Sequence, residues 1–102
     1  MRQSLDIQRI SGTTNKYGAI VSYDPANKLV KITWECDGCE VEQRGRLGLS
    51  VTLFNGRNKN RGYKLRAKAQ FENGEKLYNS VEIWRKDIPK PSLISRLLTN
   101  WI

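Results

Sequence analysis

The chain has 102 residues, of which 18 are basic, 10 are acidic and none is histidine, and its formal net charge is +8. This length favours one domain, and no apolar run approaches the roughly 20 residues of a membrane-spanning helix. Without histidine the chain lacks the commonest general base and metal ligand, which excludes Ser–His and Cys–His catalysis.

These exclusions lead us to expect a non-catalytic protein that uses no cofactor and contacts no membrane. The N-terminal residues lack the apolar stretch of a secretory signal, so we expect a cytoplasmic location. A virus particle assembled in a host cytoplasm fits the same observations.

Short runs of alternating apolar and polar residues predict an all-β domain of about five to seven strands. Leu5, Ile7 and Ile10 give only a hint of a strand at the N-terminus. The clearer strands are predicted, in chain order, at residues 17–23, 28–35, 39–43, 49–53, 63–71 and 76–84.

Turn signals separate these strands. Asp24-Pro25 predicts a turn after the first of them, because proline presets φ at the second position of a turn. Asp37-Gly38 and Asn73-Gly74 are dipeptides that tight hairpins prefer. We therefore expect one hairpin at each of these two positions.

The sequence changes character after Asp87, which divides it into a β domain at residues 1–87 and an arm at residues 88–102. Residues 88–91 (Ile-Pro-Lys-Pro) fit neither a regular helix nor an interior strand, so they predict a stiff linker. An apolar stripe at helical spacing follows and predicts a short amphipathic helix. The stripe consists of Leu93, Ile94, Leu97, Leu98, Trp101 and Ile102. Such an arm either folds back onto the sheet or docks on a partner protein.

Positive charge is concentrated between Gln43 and Phe71, where eight basic residues and no acidic residue occur; the rest of the chain carries ten of each sign. Strand 63–71 places its basic side chains on one face, about 7 Å apart, close to the phosphate spacing of an extended nucleic-acid strand. The preceding loop adds further basic residues. The candidate phosphate-binding residues are Arg57, Lys59, Arg61, Lys64, Arg66 and Lys68.

Two other interpretations of this basic strand stay open. A solvated strand face is often rich in lysine, which also discourages edge pairing. Alternatively, the strand pairs with the acidic segment that precedes it, within one molecule or between copies. The acidic residues of that segment are Glu35, Asp37, Glu40 and Glu42.

Tyr78 falls out of phase with Leu77, Val81 and Ile83 of its strand, so we expect it to be exposed together with Trp84. Exposed aromatic rings beside a basic strand can stack on bases. The alternative is that both rings pack in the core or along the sheet edge.

Cys36 and Cys39 form a C-x-x-C pair, which is half of a zinc ribbon. Because the other half is absent from the sequence, we predict no metal site. The neighbouring carboxylates are expected to raise the pKa of each thiol. The pair is therefore expected to be either a local disulfide or two unreactive thiols.

Residues 17–24 (Tyr-Gly-Ala-Ile-Val-Ser-Tyr-Asp), 30–35 (Val-Lys-Ile-Thr-Trp-Glu) and Asp37-Gly38 together resemble Tudor-like and related SH3-like barrels. The resemblance implies a module that binds nucleic acid or a modified peptide, but no aromatic cage can be assigned. Residues 63–83 resemble the last hairpin of fibronectin type III and other immunoglobulin-like sandwiches. Trp34 lies only 29 residues before Tyr63, which is short for the usual intervening strands. We therefore expect a small SH3-like antiparallel barrel first and an immunoglobulin-like sandwich second.

Two functional hypotheses follow. The first is a non-catalytic module whose basic face contacts the phosphates of DNA or RNA, largely without sequence preference. The second is a structural or assembly protein, such as a small component of a virus particle or of a multi-subunit complex. In that role charge complementarity and the C-terminal arm would serve contacts with an acidic protein surface, or with further copies in a homo-oligomer or larger assembly.

Overall fold

The computed structural model describes residues 3–57 and 62–89, which form seven strands and one turn of 3-10 helix at Arg85–Asp87. The strands are β1 (Ser4–Arg9), β2 (Lys16–Ser22), β3 (Leu29–Cys36), β4 (Glu40–Arg44), β5 (Ser50–Phe54), β6 (Tyr63–Phe71) and β7 (Lys76–Ile83). The predicted all-β class is thus confirmed. No helix within the described ranges is long and apolar enough to cross a bilayer.

The strands form two antiparallel sheets, one with the order β1-β2-β5-β4 and one with the order β3-β6-β7. Side chains from both sheets meet in a single core. The sheets do not join into a closed barrel, so our first expectation, an SH3-like barrel, is wrong. The reason is that β3 and β4, although consecutive in the chain, lie in different sheets.

The Asp37-Gly38 turn is therefore a crossover between the sheets and not the hairpin that the dipeptide predicted. Gly38 has a φ of 88°, a left-handed conformation that glycine adopts without steric cost. The Asn73-Gly74 prediction is confirmed. It joins the antiparallel neighbours β6 and β7, and the Phe71 N–H donates to the Glu75 carbonyl across the turn at 3.0 Å.

The inward-facing side chains of β6 form the centre of the core. Tyr63, Leu65, Ala67, Ala69 and Phe71 are all 2% exposed or less, because successive side chains of a strand point to opposite faces. The other buried residues come from both sheets and from the segment after β7: Leu5, Ile7, Tyr17, Leu29, Ile32, Trp34, Val51, Leu53, Ile83 and Ile88.

Burial on β3 does not follow strict alternation. Alternation would place Val30 on the same face as Ile32 and Trp34, but Val30 is 46% exposed, and Leu29 is buried instead. A register irregularity between Leu29 and Lys31 causes this change, since an extra residue in one strand shifts the side chains before it to the other face.

Two amide side chains bridge the open sides of the sandwich. On one side, Gln43 of β4 accepts a hydrogen bond from the Trp34 N–H at 2.9 Å and donates to the Ile32 carbonyl at 3.3 Å. On the other, Asn79 of β7 donates to the Leu5 carbonyl at 2.7 Å and accepts from the Ser80 N–H at 2.8 Å. Each amide thereby pairs backbone groups that the sheet ladders leave unpaired.

The start of the predicted arm belongs to the body of the domain. Ile88 is 3% exposed, and the Pro89 carbonyl accepts a hydrogen bond from the Gly56 N–H at 2.8 Å. The predicted amphipathic helix and its apolar stripe fall on residues 90–102, outside the described residues.

Candidate nucleic-acid interface

The outer face of the three-stranded sheet is the surface that carries the basic residues of β6. We use the name outer face for the outward side chains of β3, β6 and β7. Lys64, Arg66 and Lys68 all lie on it, because the residues between them on β6 point into the core. The structure thus brings together three of the six residues that the sequence nominated.

The strand register arranges the outer face in cross-strand rows about 7 Å apart. Residues within a row lie directly opposite one another on β3, β6 and β7. In order along β6 the rows are Lys31-Gln70-Lys76, Thr33-Lys68-Tyr78, Glu35-Arg66-Ser80 and, on β6 and β7 alone, Lys64-Glu82. The face therefore has two halves of different charge.

The half that contains Arg66 and Lys64 is compensated by acidic side chains. Two hydrogen bonds join the Arg66 guanidinium to the Asp37 carboxylate, at 2.9 and 3.0 Å. This contact lowers the pKa of Asp37 and raises the pKa of Arg66. Glu35 lies opposite Arg66, and Glu82 lies opposite Lys64. This half consequently offers little net positive charge to a ligand.

The half that contains Lys68 is uncompensated, and we call its residues the cationic end. Within residues 3–57 and 62–89, no carboxylate forms an ion pair with any of its three lysines. Glu72 and Glu75 lie beyond it, on the turn between β6 and β7. The cationic end comprises Lys31, Gln70, Lys76, Thr33, Lys68 and Tyr78.

Tyr78 and Trp84 are both strongly exposed, at 71% and 76%. Tyr78 points outwards, because even-numbered residues of β7 face outwards, and Trp84, which directly follows β7, lies beside Lys64 and Glu82 of the outer face. Tyr78 and Trp84 are six positions apart in the sequence, a distance of about 20 Å along an extended chain. The two rings therefore lie at opposite ends of the outer face, and only Tyr78 belongs to the cationic end.

A shallow groove on the outer face runs beside Tyr78. Thr33, Lys68 and Tyr78 line it together with Glu35 and Arg66 of the next row. Threonine and tyrosine hydroxyls donate and accept hydrogen bonds, and lysine supplies three N–H donors. The groove thus joins an aromatic ring, two cations, one carboxylate and neutral hydrogen-bonding groups on one open surface.

Arg57, which the sequence also nominated, does not join this cluster. Arg57 is exposed at the far end of the domain, where its backbone N–H donates to the Gly38 carbonyl at 2.8 Å. It is therefore next to the acidic crossover turn. Lys59 and Arg61 lie outside the described residues.

Sequence reasoning missed Lys31 and Lys76 as members of the site. The alternation on β3 already separated Lys31 from Ile32 and Trp34, so its outward direction was predictable. The missing information was that β3 and β7 flank β6, which only long-range strand pairing establishes.

The two cysteines are half-buried thiols on the crossover turn, and their Sγ atoms lie 2.7 Å apart. The Cys39 thiol donates a hydrogen bond to Cys36, which lowers the pKa of Cys36 and raises that of Cys39. The expectation that carboxylates raise both pKa values therefore fails for Cys36, since the contact with Cys39 outweighs Asp37. Within the described part of the chain, no group of three or more His, Cys, Asp or Glu side chains is arranged to hold a metal ion.

No family model, curated protein sequence or solved structure matches this chain.

Proposed function

We propose that this protein is a non-catalytic module that binds single-stranded nucleic acid through the cationic end of its outer face, largely without sequence preference. The observation that carries the proposal is the grouping of Lys31, Lys68 and Lys76 around the exposed Tyr78, with no carboxylate in either of their rows. The absence of histidine from the chain favours binding over catalysis.

A single strand fits this surface better than a duplex. The outer face is a sheet surface with an open groove, and no helix among the described residues projects from it to enter a major groove. A flat sheet with an exposed aromatic ring can stack an unpaired base, and the surrounding lysines can track the backbone. Because every base has a π-face, such stacking tolerates any sequence.

The three lysines of the cationic end determine the expected affinity for nucleic acid and its dependence on salt. For single strands, the slope of log K against log[salt] is about −0.7 for each phosphate neutralised, so three contacts predict a slope of about −2. We therefore expect weak binding that is detectable only at low salt. Additional phosphate contacts from outside the cationic end would make the slope steeper.

We also propose that the sandwich is of the immunoglobulin-like constant type. Its strand orders, first-second-fifth-fourth and third-sixth-seventh, support this because that fold pairs its seven strands in the same two orders. Trp34 is buried on the third strand, and the hydroxyl of Tyr63, at the start of the sixth, lies against Gly56 earlier in the chain. Because one fold can serve many functions, the function is inferred from the surface chemistry of the two sheets and not from the fold.

The test is charge reversal at the cationic end. A variant with Lys31→Glu, Lys68→Glu and Lys76→Glu is expected to lose retention on a single-stranded oligonucleotide at low salt, because all three uncompensated cations are removed. Fluorescence anisotropy with one DNA and one RNA oligonucleotide, at several salt concentrations, measures both the Kd and the salt slope.

The matched control reverses Lys16, Arg44 and Arg46, which changes the net charge by the same amount away from the outer face. This control is expected to keep most of the affinity. If the control loses as much affinity as the first variant, net charge alone drives binding and the site is wrong. Wild-type protein that binds neither oligonucleotide at low salt contradicts the proposal itself.

A further inference from the structure

We propose that Cys36 and Cys39 are a redox-active dithiol that small-molecule disulfides convert to an intramolecular disulfide. The proposal is independent of the nucleic-acid site. It starts from the position of both thiols on one crossover turn, with Sγ atoms 2.7 Å apart and both side chains only partly buried.

The backbone geometry suits such a bond. Asp37 and Gly38 are the two central residues of the turn, so the cysteines occupy its first and last positions. A β-turn holds these positions within about 7 Å, and disulfides span Cα separations of about 4.4–6.8 Å. Gly38 has a φ of 88°, and glycine adopts this conformation freely. The turn therefore presents the two sulfur atoms to each other without a rearrangement of the flanking strands.

The two thiols have different chemical roles. Cys39 donates its hydrogen bond to Cys36, which stabilises the thiolate of Cys36 and lowers its pKa. The thiolate is the nucleophile in thiol–disulfide exchange. Cys36 is therefore the attacking residue, and Cys39 is the resolving residue.

The reaction takes a low-molecular-weight disulfide, such as oxidised glutathione, as the oxidant. The Cys36 thiolate attacks one sulfur of that disulfide, breaks its S–S bond and forms a mixed disulfide, and the released thiolate takes up a proton. Cys39 then loses its proton to solvent and attacks Cys36 Sγ, which expels the second small thiol. The protein gives up two electrons and two protons, and the small disulfide accepts them.

The experiment uses the full chain, reduced and free of oxygen, in a buffer that contains a metal chelator. Oxidised glutathione is the probe, and intact-mass measurement follows the products. Wild-type protein is expected to lose the mass of two hydrogens and retain no glutathione. The Cys39→Ser variant is expected to retain one glutathione on Cys36, because it has no resolving thiol.

The identity of the nucleophile is a second readout. A substoichiometric alkylating agent is expected to modify Cys36 before Cys39, which peptide mapping resolves. Preferential modification of Cys39 would overturn the assignment of the two roles.

The third readout is how strongly formation of the disulfide depends on the folded structure. At a fixed ratio of reduced to oxidised glutathione, the disulfide-to-dithiol ratio is expected to be at least about tenfold higher in folded protein than in urea-unfolded protein. By thermodynamic linkage, tenfold corresponds to about 1.4 kcal/mol of added stability in the oxidised form, so its Tm rises. The proposal is wrong if wild-type protein stays reduced, if it carries glutathione on both cysteines, or if unfolded protein oxidises as readily.

Discussion

The contact between Asp37 and Arg66 decides which basic residues of β6 are available to a ligand. Arg66 lies in the middle of the predicted basic row, but its guanidinium donates two hydrogen bonds to one carboxylate. A bidentate pair of this kind is directional as well as electrostatic. Lys68, two residues further along the same strand, has no such partner among the described residues. Basic residues that look equivalent in the sequence therefore differ in whether their charge is available to a ligand.

Asp37→Asn is expected to raise the affinity for a single-stranded oligonucleotide, because it removes one carboxylate and frees Arg66. Because the pair is exposed and screened by solvent, the gain in affinity should be modest, at most about fivefold. Anisotropy titrations of the two proteins measure it. A matched control is Asp6→Asn, which removes an exposed carboxylate on the four-stranded sheet.

The difference in affinity between Asp37→Asn and wild type should change with pH in one direction only. Arg66 lowers the pKa of Asp37, so the pair is intact above the ordinary pKa of aspartate and is lost as the pH falls through the lowered value. The advantage of Asp37→Asn over wild type should therefore be full at neutral pH and shrink only in strong acid. Equal affinities of the two proteins at neutral pH would contradict the role assigned to Asp37.

The individual strands were the part of the fold that sequence patterning predicted best. The predicted strand 63–71 coincides with β6, because an uninterrupted period of two, with small and large apolar residues on one side, is typical of a central strand. β1 was only hinted at, since its outward residues are all polar and just two of its side chains, Leu5 and Ile7, are buried. The register irregularity on β3 was not predicted, because a bulge of one residue does not alter the composition of a strand.

The amide bridges at the sandwich sides were also beyond sequence reasoning, since an isolated glutamine or asparagine in a strand carries no local signal. Gln43→Leu is expected to destabilise the fold by about 1–3 kcal/mol, because the Trp34 N–H and the Ile32 carbonyl lose their partner. For a domain of this size the Tm should fall by at least about 4 °C. Thermal unfolding by circular dichroism measures it.

The matched control for this prediction is Gln8→Leu, the same substitution at an exposed position of β1. Its Tm should stay close to that of wild type, because Gln8 is exposed and bridges no backbone groups within residues 3–57 and 62–89. If Gln43→Leu melts at the same temperature as Gln8→Leu, the bridge contributes nothing and the sandwich side is stable without it.

The two-sheet sandwich was our second expectation for the fold, and the barrel was our first. The error came from judging the 29 positions from Trp34 to Tyr63 too few for the usual strands of an immunoglobulin-like sandwich, although two short strands were predicted there. The structure fits β4 and β5 there because each has only five residues and because the chain crosses between the sheets at Asp37-Gly38. Local turn chemistry is the same for a hairpin and a crossover, so long-range packing decides between them.

The same distinction applies to the candidate interface. Charge counting located the basic strand, and alternation predicted that Lys64, Arg66 and Lys68 share a face. Which of them is neutralised depends on β3 and β7, whose positions beside β6 follow from the topology of the whole domain. A net charge of +8 favours approach to polyanions, while the register determines which lysines form the site that we propose for nucleic acid.

Nuclear magnetic resonance titration of isotope-labelled protein with a single-stranded oligonucleotide at low salt would map the bound surface residue by residue. We expect the largest amide shifts in the rows of Lys31 and Lys68, and an upfield shift of the Tyr78 ring protons as a base stacks on it. Shifts centred on the four-stranded sheet, or on the rows of Arg66 and Lys64 with Tyr78 unchanged, would contradict the account.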